Sequence, residues 1–212
     1  VRALRDGLRL LVDLVRVRQL ARRGGYLARD AGRPTEHRGR VDPDQLGAIF
    51  KAYDIRGRVP EQLDELLAAS IGRAFALLVR DEEPETTRVV ICRDMRPSGT
   101  LLGAAFAAGV MSEGLDVVDL GLASTDMLYY ASGHLGVPGA VLTASHNPAG
   151  YNGMKLCLSA ARPVGGDTGL DRMAARILAG FGGEVASGGG PRPRWTSSGT
   201  SWNTSGRSRT SN

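Results

Sequence analysis

The densest group of reactive side chains in the sequence lies at residues 143–148, which read Thr-Ala-Ser-His-Asn-Pro. The apolar run Ala140–Leu142 comes just before it and predicts a strand, so Ser145 would stand on a loop at a strand end. His146 has a side chain that exchanges protons near neutral pH. Two interpretations remain open. Ser145 and His146 could take part in catalysis, or the serine and Asn147 could only stabilise a turn before the proline.

A lysine follows this string closely. Lys155 is one of two lysines in the chain and ends the string Tyr-Asn-Gly-Met-Lys at 151–155, at the beginning of an apolar, strand-like run. A lone lysine there could donate or accept a proton, or bind a phosphate. The alternative is a lysine that protects an exposed strand edge from aggregation.

Two further strings combine arginines with acidic residues. Residues 50–57 read Phe-Lys-Ala-Tyr-Asp-Ile-Arg-Gly, and residues 93–99 read Arg-Asp-Met-Arg-Pro-Ser-Gly. The second string follows the apolar run Val89–Cys92 and leads into a predicted helix, whose N-terminus is a natural anion site. Arg96 could therefore bind a phosphate. A structural ion pair between the neighbouring arginine and aspartate at 93–94 is the alternative.

Short apolar runs and amphipathic segments alternate between residues 46 and 179. This alternation predicts an α/β domain with a layered α/β/α arrangement and a mostly parallel mixed sheet. The continuous run Val89–Cys92 is typical of a strand buried on both faces. The predicted strands are 89–92, 117–120, 140–142 and 154–158, and the predicted helices begin at Pro60, Ser98, Thr125 and Leu170.

The charge of the chain is unevenly distributed. The first 40 residues hold eleven arginines against four acidic residues, and residues 188–212 hold four arginines and no acid, although the net charge is only +5. The middle of the chain is therefore acidic, which argues against a nucleic-acid-binding domain. No apolar run approaches the ~18–20 residues that a membrane helix needs.

The chain has two cysteines, Cys92 and Cys157, each within an apolar, strand-like run. We expect both to be buried, reduced thiols.

The two ends differ from this middle segment. Residues 1–45 predict a basic amphipathic helix followed by a Gly/Pro/Arg-rich linker. Residues 187–212 are rich in Ser, Thr, Gly and Arg and contain no aliphatic residue, so we expect disorder there. The abrupt change of composition suggests that this tail is read out of frame.

The four strings together resemble one family, the α-D-phosphohexomutases, and within it the phosphomannomutase/phosphoglucomutase branch. Residues 143–148 match the family's phosphoserine loop, and residues 151–155 match the string that follows it. Residues 53–57, Tyr-Asp-Ile-Arg-Gly, resemble the opening signature of this branch. Residues 93–99 resemble a fourth family string. The resemblance covers about 46–180, and we expect a domain corresponding to the family's domain I over residues 46–186.

The resemblance implies a role for several residues. Ser145 would carry a phosphoryl group that passes between the 1- and 6-positions of mannose or glucose phosphate. His146, Lys155 and Arg56 would handle protons and stabilise charge, while Tyr53, Arg96 and Asn147 would shape the site and bind substrate phosphate. The phosphoserine would also be a ligand of Mg²⁺. Enzymes of this branch are cytoplasmic, which sets the expected location.

The family's metal loop, sugar-binding string and C-terminal phosphate-binding loop do not occur in this sequence. We therefore expect little or no mutase activity from this chain alone. Two alternatives to an enzyme remain open. One is a phosphosugar-binding module without catalysis, which would bind hexose phosphate while Ser145 stays unmodified. The other is a basic adaptor acting through residues 1–40, which would show steeply salt-dependent binding to nucleic acid or membrane. We expect neither nucleic acid nor a membrane to be a partner.

Overall fold

The computed structural model describes residues 41–181 and 195–197, and all the strands in these ranges belong to one mixed sheet. The strands in chain order are β1 (Ile55–Arg58), β2 (Arg88–Arg93), β3 (Asp116–Leu122), β4 (Gly139–Leu142), β5 (Tyr151–Leu158), β6 (Arg162–Pro163) and β7 (Trp195–Ser197). Their order in the sheet is β1-β5-β4-β2-β3-β7, with β6 paired to β5.

Six of the seven strands described run in the same direction. Strands β2, β3, β4 and β7 pair in parallel, whereas β5 pairs antiparallel with β1, β4 and β6. Within the described residues, β5 is therefore the strand that runs against all the others. This confirms the predicted mostly parallel mixed sheet, and it brings the ends of β2, β3 and β4 to the same edge.

Helices cover both faces of the sheet. They are α1 (Pro43–Ile49), α2 (Glu65–Glu82), α3 (Gly99–Ser112), α4 (Thr125–Leu135) and α5 (Asp171–Leu178), with a 3₁₀ turn at Ser159–Ala161 and a π turn at Gly166–Leu170. The larger core packs α1, α2, α3 and α5 against one face, and the smaller core packs α4 against the other. The arrangement is the predicted α/β/α layering.

Strand β2 shows how the sequence produces two cores. Val89 and Ile91 belong to the larger core, while Val90 and Cys92 belong to the smaller one. Successive side chains of a strand point to opposite faces, so a continuous apolar run supplies both cores at once. The prediction that this run is buried on both faces is confirmed.

The beginning of α2 differs from the prediction. The helix begins at Glu65 and not at Pro60, because Asp64 is its N-cap and accepts a hydrogen bond from the backbone N–H of Leu67 at 2.8 Å. Residues 60–63 form the turn before it, in which Leu63 is fully buried. An N-cap carboxylate satisfies a backbone donor that would otherwise lack a partner, and proline cannot do this.

The sequence patterns did not indicate β1, β6 or β7. Strand β7 lies in the segment 187–212, and it pairs in parallel with Val117–Asp119 of β3. Within the segment for which we expect disorder, Trp195–Ser197 thus forms a strand. The rest of that segment, together with residues 1–40 and their predicted amphipathic helix, lies outside the described residues.

Helices α2 and α3 pack backbone against backbone. A Cβ atom added to Gly109 would lie 2.0 Å from the carbonyl oxygen of Ala69, and one added to Gly72 would lie 2.0 Å from the carbonyl oxygen of Phe106. Two glycines, one on each helix, therefore permit a contact that no larger residue allows. This contact fixes the layer of helices that lies over one face of the sheet.

Both cysteines are free and buried, as expected. Burial raises the pKa of the Cys92 thiol to about 12, with smaller contributions from Asp119, Cys157 and Asp94. Burial also raises the pKa of Cys157. The two thiols are therefore protonated at neutral pH and act as small apolar side chains.

No helix of the described segments is both long and apolar enough to cross a membrane.

Glu83 joins the end of α2 to the turn that follows β5. Its carboxylate accepts hydrogen bonds from the Ser159 hydroxyl at 2.5 Å, from the Ser159 N–H at 3.0 Å and from the Arg162 guanidinium at 2.7 Å. Burial acts to raise the pKa of Glu83, but these hydrogen bonds together hold it below its usual value. The charged form is thus the one that stabilises the fold.

This contact makes stability depend on pH. Because the folded-state pKa of Glu83 is lowered, its contribution is complete above about pH 5 and is lost as the pH falls through the folded-state pKa. We expect Glu83→Gln to lower the free energy of unfolding by about 1–2 kcal/mol at pH 7, with the difference vanishing in acid. Urea unfolding at several pH values measures this. The exposed Glu85, changed to Gln, is the control. An equal loss at pH 3 and pH 7 would contradict the assignment.

Candidate functional site

Ser145 lies on the loop that follows β4 and is exposed. Its φ is 49°, a left-handed conformation that is uncommon for residues other than glycine. His146 beside it is also exposed, and Asn147 is half-buried with its side-chain amide donating to the carbonyl of Ala144 at 2.8 Å. Asn147 thus stabilises a turn, as the second interpretation of the string expected, and this turn leaves Ser145 exposed to solvent.

Two consecutive hydrogen bonds, a relay through Thr143, connect the backbone of Ser145 to Asp94. The backbone N–H of Ser145 donates to the hydroxyl of Thr143 at 3.0 Å, and this hydroxyl donates to the carboxylate of Asp94 at 2.7 Å. Asp94 follows β2 and Thr143 follows β4, and the two strands are parallel neighbours. The sequence suggested no role for Thr143, and for Asp94 only an ion pair with Arg93, whereas the structure pairs Asp94 with Arg96. The signal was present, because both belong to strings that follow adjacent strands.

Arg96 lies under the same loop with its side chain only 13% exposed. Its guanidinium donates to four carbonyl oxygens of the loop and of the beginning of β5, at distances of 2.7 to 2.9 Å: those of Ser145, Asn147, Pro148 and Tyr151. Its Nε lies 3.4 Å from the carboxylate of Asp94. Both terminal nitrogens of the guanidinium are therefore used twice, and its Nε is part of an ion pair with Asp94. A phosphate could bind Arg96 only by displacing one of them.

Lys155 and Arg56 lie on β5 and β1, and Asp54 connects them. The Lys155 Nζ is 4.0 Å from one carboxylate oxygen of Asp54, and the Arg56 Nε is 3.4 Å from the other. The side chains of Lys155 and Arg56 are 31% and 44% exposed. The sequence analysis did not single out Asp54, although it lies inside the string that contains Arg56. Its carboxylate balances two cations that would otherwise repel each other.

The register of the sheet brings these residues to the edge where Ser145 lies. Arg56 pairs with Gly153, whose carbonyl accepts a hydrogen bond from the Thr143 N–H at 2.9 Å. Arg56 is therefore level with the beginning of the Ser145 loop and two strands away, which corresponds to about 10 Å. Lys155 pairs with Val141 in β4. Tyr53 precedes this group and is 80% exposed, so its ring is available to a ligand.

A fully buried amide joins the site to α3. Asn152 donates through Nδ2 to the hydroxyl of Ser98 at 2.9 Å, and its side-chain oxygen accepts from the N–H of Gly153 at 2.8 Å. Ser98 occupies the N-cap position of α3 but makes no side-chain capping bond. Its hydroxyl instead accepts the amide of Asn152, because β5 passes close to the helix start. Sequence analysis did not identify Asn152 as a supporting residue.

A cleft of about 50 Å³ lies beside this edge, between the ends of β2 and β3 and the first turns of α3. Arg93, Thr100 and Asp119 are its polar lining residues. Burial raises the pKa of Asp119, although the N–H of Gly121 and the charge of Arg93 act in the opposite direction. The cleft adds a polar recess next to the loop.

The site offers little to a metal ion by itself. Within residues 41–181 and 195–197, no group of three or more His, Cys, Asp or Glu side chains could hold a metal ion. Ser145, the ligand expected from the sequence, is not accompanied by further such ligands in this part of the chain. These residues alone do not fit Mg²⁺.

Comparison with known proteins agrees with the geometry. Residues 47–180, more than half of the chain, match the family model for phosphoglucomutase/phosphomannomutase, alpha/beta/alpha domain I. Over 122 residues, the chain is 49% identical to a phosphomannomutase of Salmonella typhimurium strain LT2, which covers 57% of this chain and 26% of that protein. It is 47% identical over 122 residues to a phosphomannomutase of Klebsiella pneumoniae, covering 57% of this chain and 74% of that protein.

Solved structures give the same result. The crystal structure of a phosphoglucomutase/phosphomannomutase family protein from Burkholderia thailandensis superimposes with a TM-score of 0.59 and 34% identity, over 72% of this chain and 32% of that chain. The chain thus spans about a quarter of the length of the Salmonella relative and about a third of this solved chain.

Proposed function

This chain belongs to the phosphoglucomutase/phosphomannomutase family, and we propose that its Ser145 carries the phosphoryl group in transfer between the 1- and 6-positions of a hexose phosphate. One observation carries the proposal. Ser145 is exposed and has a left-handed backbone conformation. Arg96 donates hydrogen bonds to carbonyl oxygens of its loop, and Asp94 accepts one from the Thr143 hydroxyl in the same loop. Such held, uncommon backbone conformations are found at functional sites.

The proposed step is a direct phosphoryl transfer. The Ser145 Oγ attacks one phosphorus of a hexose 1,6-bisphosphate, the Oγ–P bond forms, and the bond between phosphorus and the sugar oxygen breaks. The proton leaves the serine hydroxyl for a nearby base, and the sugar oxygen takes up a proton. The bisphosphate itself forms by the reverse step, in which phosphorylated Ser145 donates its phosphoryl group to the free hydroxyl of a hexose monophosphate. The bisphosphate then turns around, so that Ser145 takes up the phosphoryl group from the other end of the sugar. Positioning and charge neutralisation supply most of the rate enhancement in such transfers.

The neighbouring side chains have proposed roles in this step. His146 is adjacent to the nucleophile and exposed, and Lys155 lies on the next strand, so these two residues are candidates for the proton transfer. Arg56 and Lys155 supply positive charge toward the transferred phosphate, and Asp54 holds their side chains. Tyr53 and Asn147 would shape the substrate site. A phosphorylated Ser145 carries about two negative charges, so cations nearby are required.

The substrate class and the metal requirement follow from the family and are proposals for this chain. Hexose phosphate, either mannose or glucose phosphate, is the proposed substrate, and the cytoplasm is the proposed location. Mg²⁺ would bind through the phosphoserine, with ligands that do not come from the described residues. Because the chain spans about a quarter of the Salmonella relative, we also propose that it catalyses little or no complete mutase reaction alone.

Mass spectrometry tests the proposed function directly. The full chain, purified from its own host and also after incubation with glucose or mannose 1,6-bisphosphate and Mg²⁺, is expected to carry one phosphate, which peptide analysis places on Ser145. Phosphate at another residue, or none in either sample, would contradict the proposal. Affinity for hexose phosphate without any phosphate uptake would indicate the non-catalytic phosphosugar-binding module instead. Measurable interconversion of glucose 1-phosphate and glucose 6-phosphate would contradict the expected inactivity.

A further inference from the structure

The backbone of the Ser145 loop needs support from outside the loop. A serine with a φ of 49° is in the left-handed region, which costs about 1–2 kcal/mol relative to the right-handed conformation. Ser145, His146 and residues 148–150 are exposed, so little buried apolar surface compensates for this cost. Other interactions must therefore keep the loop in this conformation.

Arg96 provides the first of these interactions. It comes from the segment between β2 and α3, and its guanidinium contacts the carbonyl oxygens of Ser145 and Asn147 through one terminal nitrogen and those of Pro148 and Tyr151 through the other. The four carbonyls converge on a single planar cation. Hydrogen bonds from a charged donor are stronger than neutral ones, and the planar fork fixes direction as well as distance.

Asp94 provides the second interaction that keeps the Ser145 loop in this conformation. One of its carboxylate oxygens accepts the Thr143 hydroxyl at 2.7 Å and lies 3.4 Å from the Arg96 Nε, and the other accepts the backbone N–H of Arg96 at 2.9 Å. The Thr143 hydroxyl in turn accepts the N–H of Ser145. Asp94 therefore orients both the arginine that binds the loop carbonyls and the threonine that binds the Ser145 amide.

We propose that Asp94 and Arg96 are positioning residues that hold the Ser145 loop in the conformation needed for phosphoryl transfer, and that neither contacts the substrate. The part played in phosphoryl transfer rests on the proposed function, whereas the holding of the loop does not depend on it. This role differs from the phosphate-binding Arg96 expected from the sequence, because the two terminal nitrogens of its guanidinium donate to four loop carbonyls and its Nε pairs with Asp94.

Amide hydrogen exchange of the full chain tests the holding of the loop. Arg96→Lys keeps the charge but cannot make all four hydrogen bonds to the loop carbonyls, so the protected amides of Ser145, Asn147 and Tyr151 are expected to exchange at least about tenfold faster. The matched control is Arg88→Lys, at an exposed position at the beginning of β2. The free energy of unfolding, measured by urea, is expected to change far less than the local opening. Unchanged exchange in the loop, or acceleration equal throughout the domain, would overturn the inference.

A second pair of variants tests the relay independently of Arg96. Thr143→Ser keeps the hydroxyl that joins Asp94 to the Ser145 amide, and Thr143→Val removes it while keeping the side-chain shape. We expect Thr143→Ser to preserve the protection of the Ser145 amide and Thr143→Val to lose at least about tenfold of it. Equal exchange in the two variants would overturn the role of the relay.

Phosphate uptake separates this inference from the proposed function. With a hexose 1,6-bisphosphate as donor, Arg96→Lys is expected to lower the rate of Ser145 phosphorylation at saturating donor and to leave the donor concentration at half-maximal rate unchanged, because a positioning residue makes no substrate contact. A change only in that half-maximal concentration would overturn the inference. A native chain that takes up no phosphate contradicts the proposed function, and the exchange measurements then decide the positioning role alone.

Discussion

Replacing Ser145 with alanine is expected to abolish phosphate uptake from a hexose 1,6-bisphosphate completely. The transfer forms a bond from the Ser145 Oγ to phosphorus, so removal of this atom leaves no acceptor. The measurement is intact-protein mass spectrometry over time. Ser112→Ala is the matched control, because Ser112 is an exposed serine at the end of α3, remote in sequence from the loop, with its hydroxyl on the carbonyl of Gly109. It is expected to take up phosphate like the native chain.

Ser145→Gly separates the chemical effect of this change from any effect on the fold. Glycine adopts a φ of 49° without steric cost, so this variant is expected to be at least as stable as the native chain and still to take up no phosphate. Urea unfolding measures the stability of all three variants. Residual phosphate on either Ser145 variant would show that another residue is the acceptor, and equal loss in the Ser112 control would point to unfolding.

Replacing Gly109 with alanine is expected to lower the free energy of unfolding by about 3 kcal/mol or more. The new Cβ would lie 2.0 Å from the carbonyl oxygen of Ala69 and 2.8 Å from the backbone nitrogen of Arg73, so α2 and α3 must move apart. Overpacking of a core typically costs about 1–3 kcal/mol, and backbone atoms yield less easily than side chains. This is a large fraction of the roughly 5–15 kcal/mol that stabilises a typical domain.

Gly133 offers the matched control for this experiment. It lies inside α4, and a Cβ added there meets no atom within 4 Å. Gly133→Ala is therefore expected to raise stability by about 0.5–1 kcal/mol, because alanine loses less conformational entropy in a helix than glycine. Urea unfolding of both variants gives the comparison. Equal effects of the two substitutions would contradict the backbone contact between α2 and α3.

The fold class followed from sequence because its signals are local. The run Val89–Cys92 has apolar residues at every position, which is typical of a strand with a core on each side, and both cores are present. Local patterns also predicted helices that begin at Ser98, Thr125 and Leu170, and α3, α4 and α5 lie at these places. Strand β1 gave no such signal, since Ile55 is the one buried hydrophobic residue in it, and its pairing with β5 depends on long-range contacts. Likewise, Asp64 determines the start of α2 through a capping bond, whereas the sequence pattern favoured Pro60.

The sequence by itself determined which residues form the candidate site: the loop at 143–148, Lys155 and Arg56 all come from strings recognisable by residue type and spacing. Only the tertiary structure decided what Arg96, Asp94 and Asp54 do. The partners of Arg96 are backbone carbonyls 49 to 55 positions away in the chain. Every residue has a carbonyl, so the sequence contains no mark of the ones that a guanidinium will bind. The packing of β2 beside β4 selects them, and that packing is a property of the whole sheet.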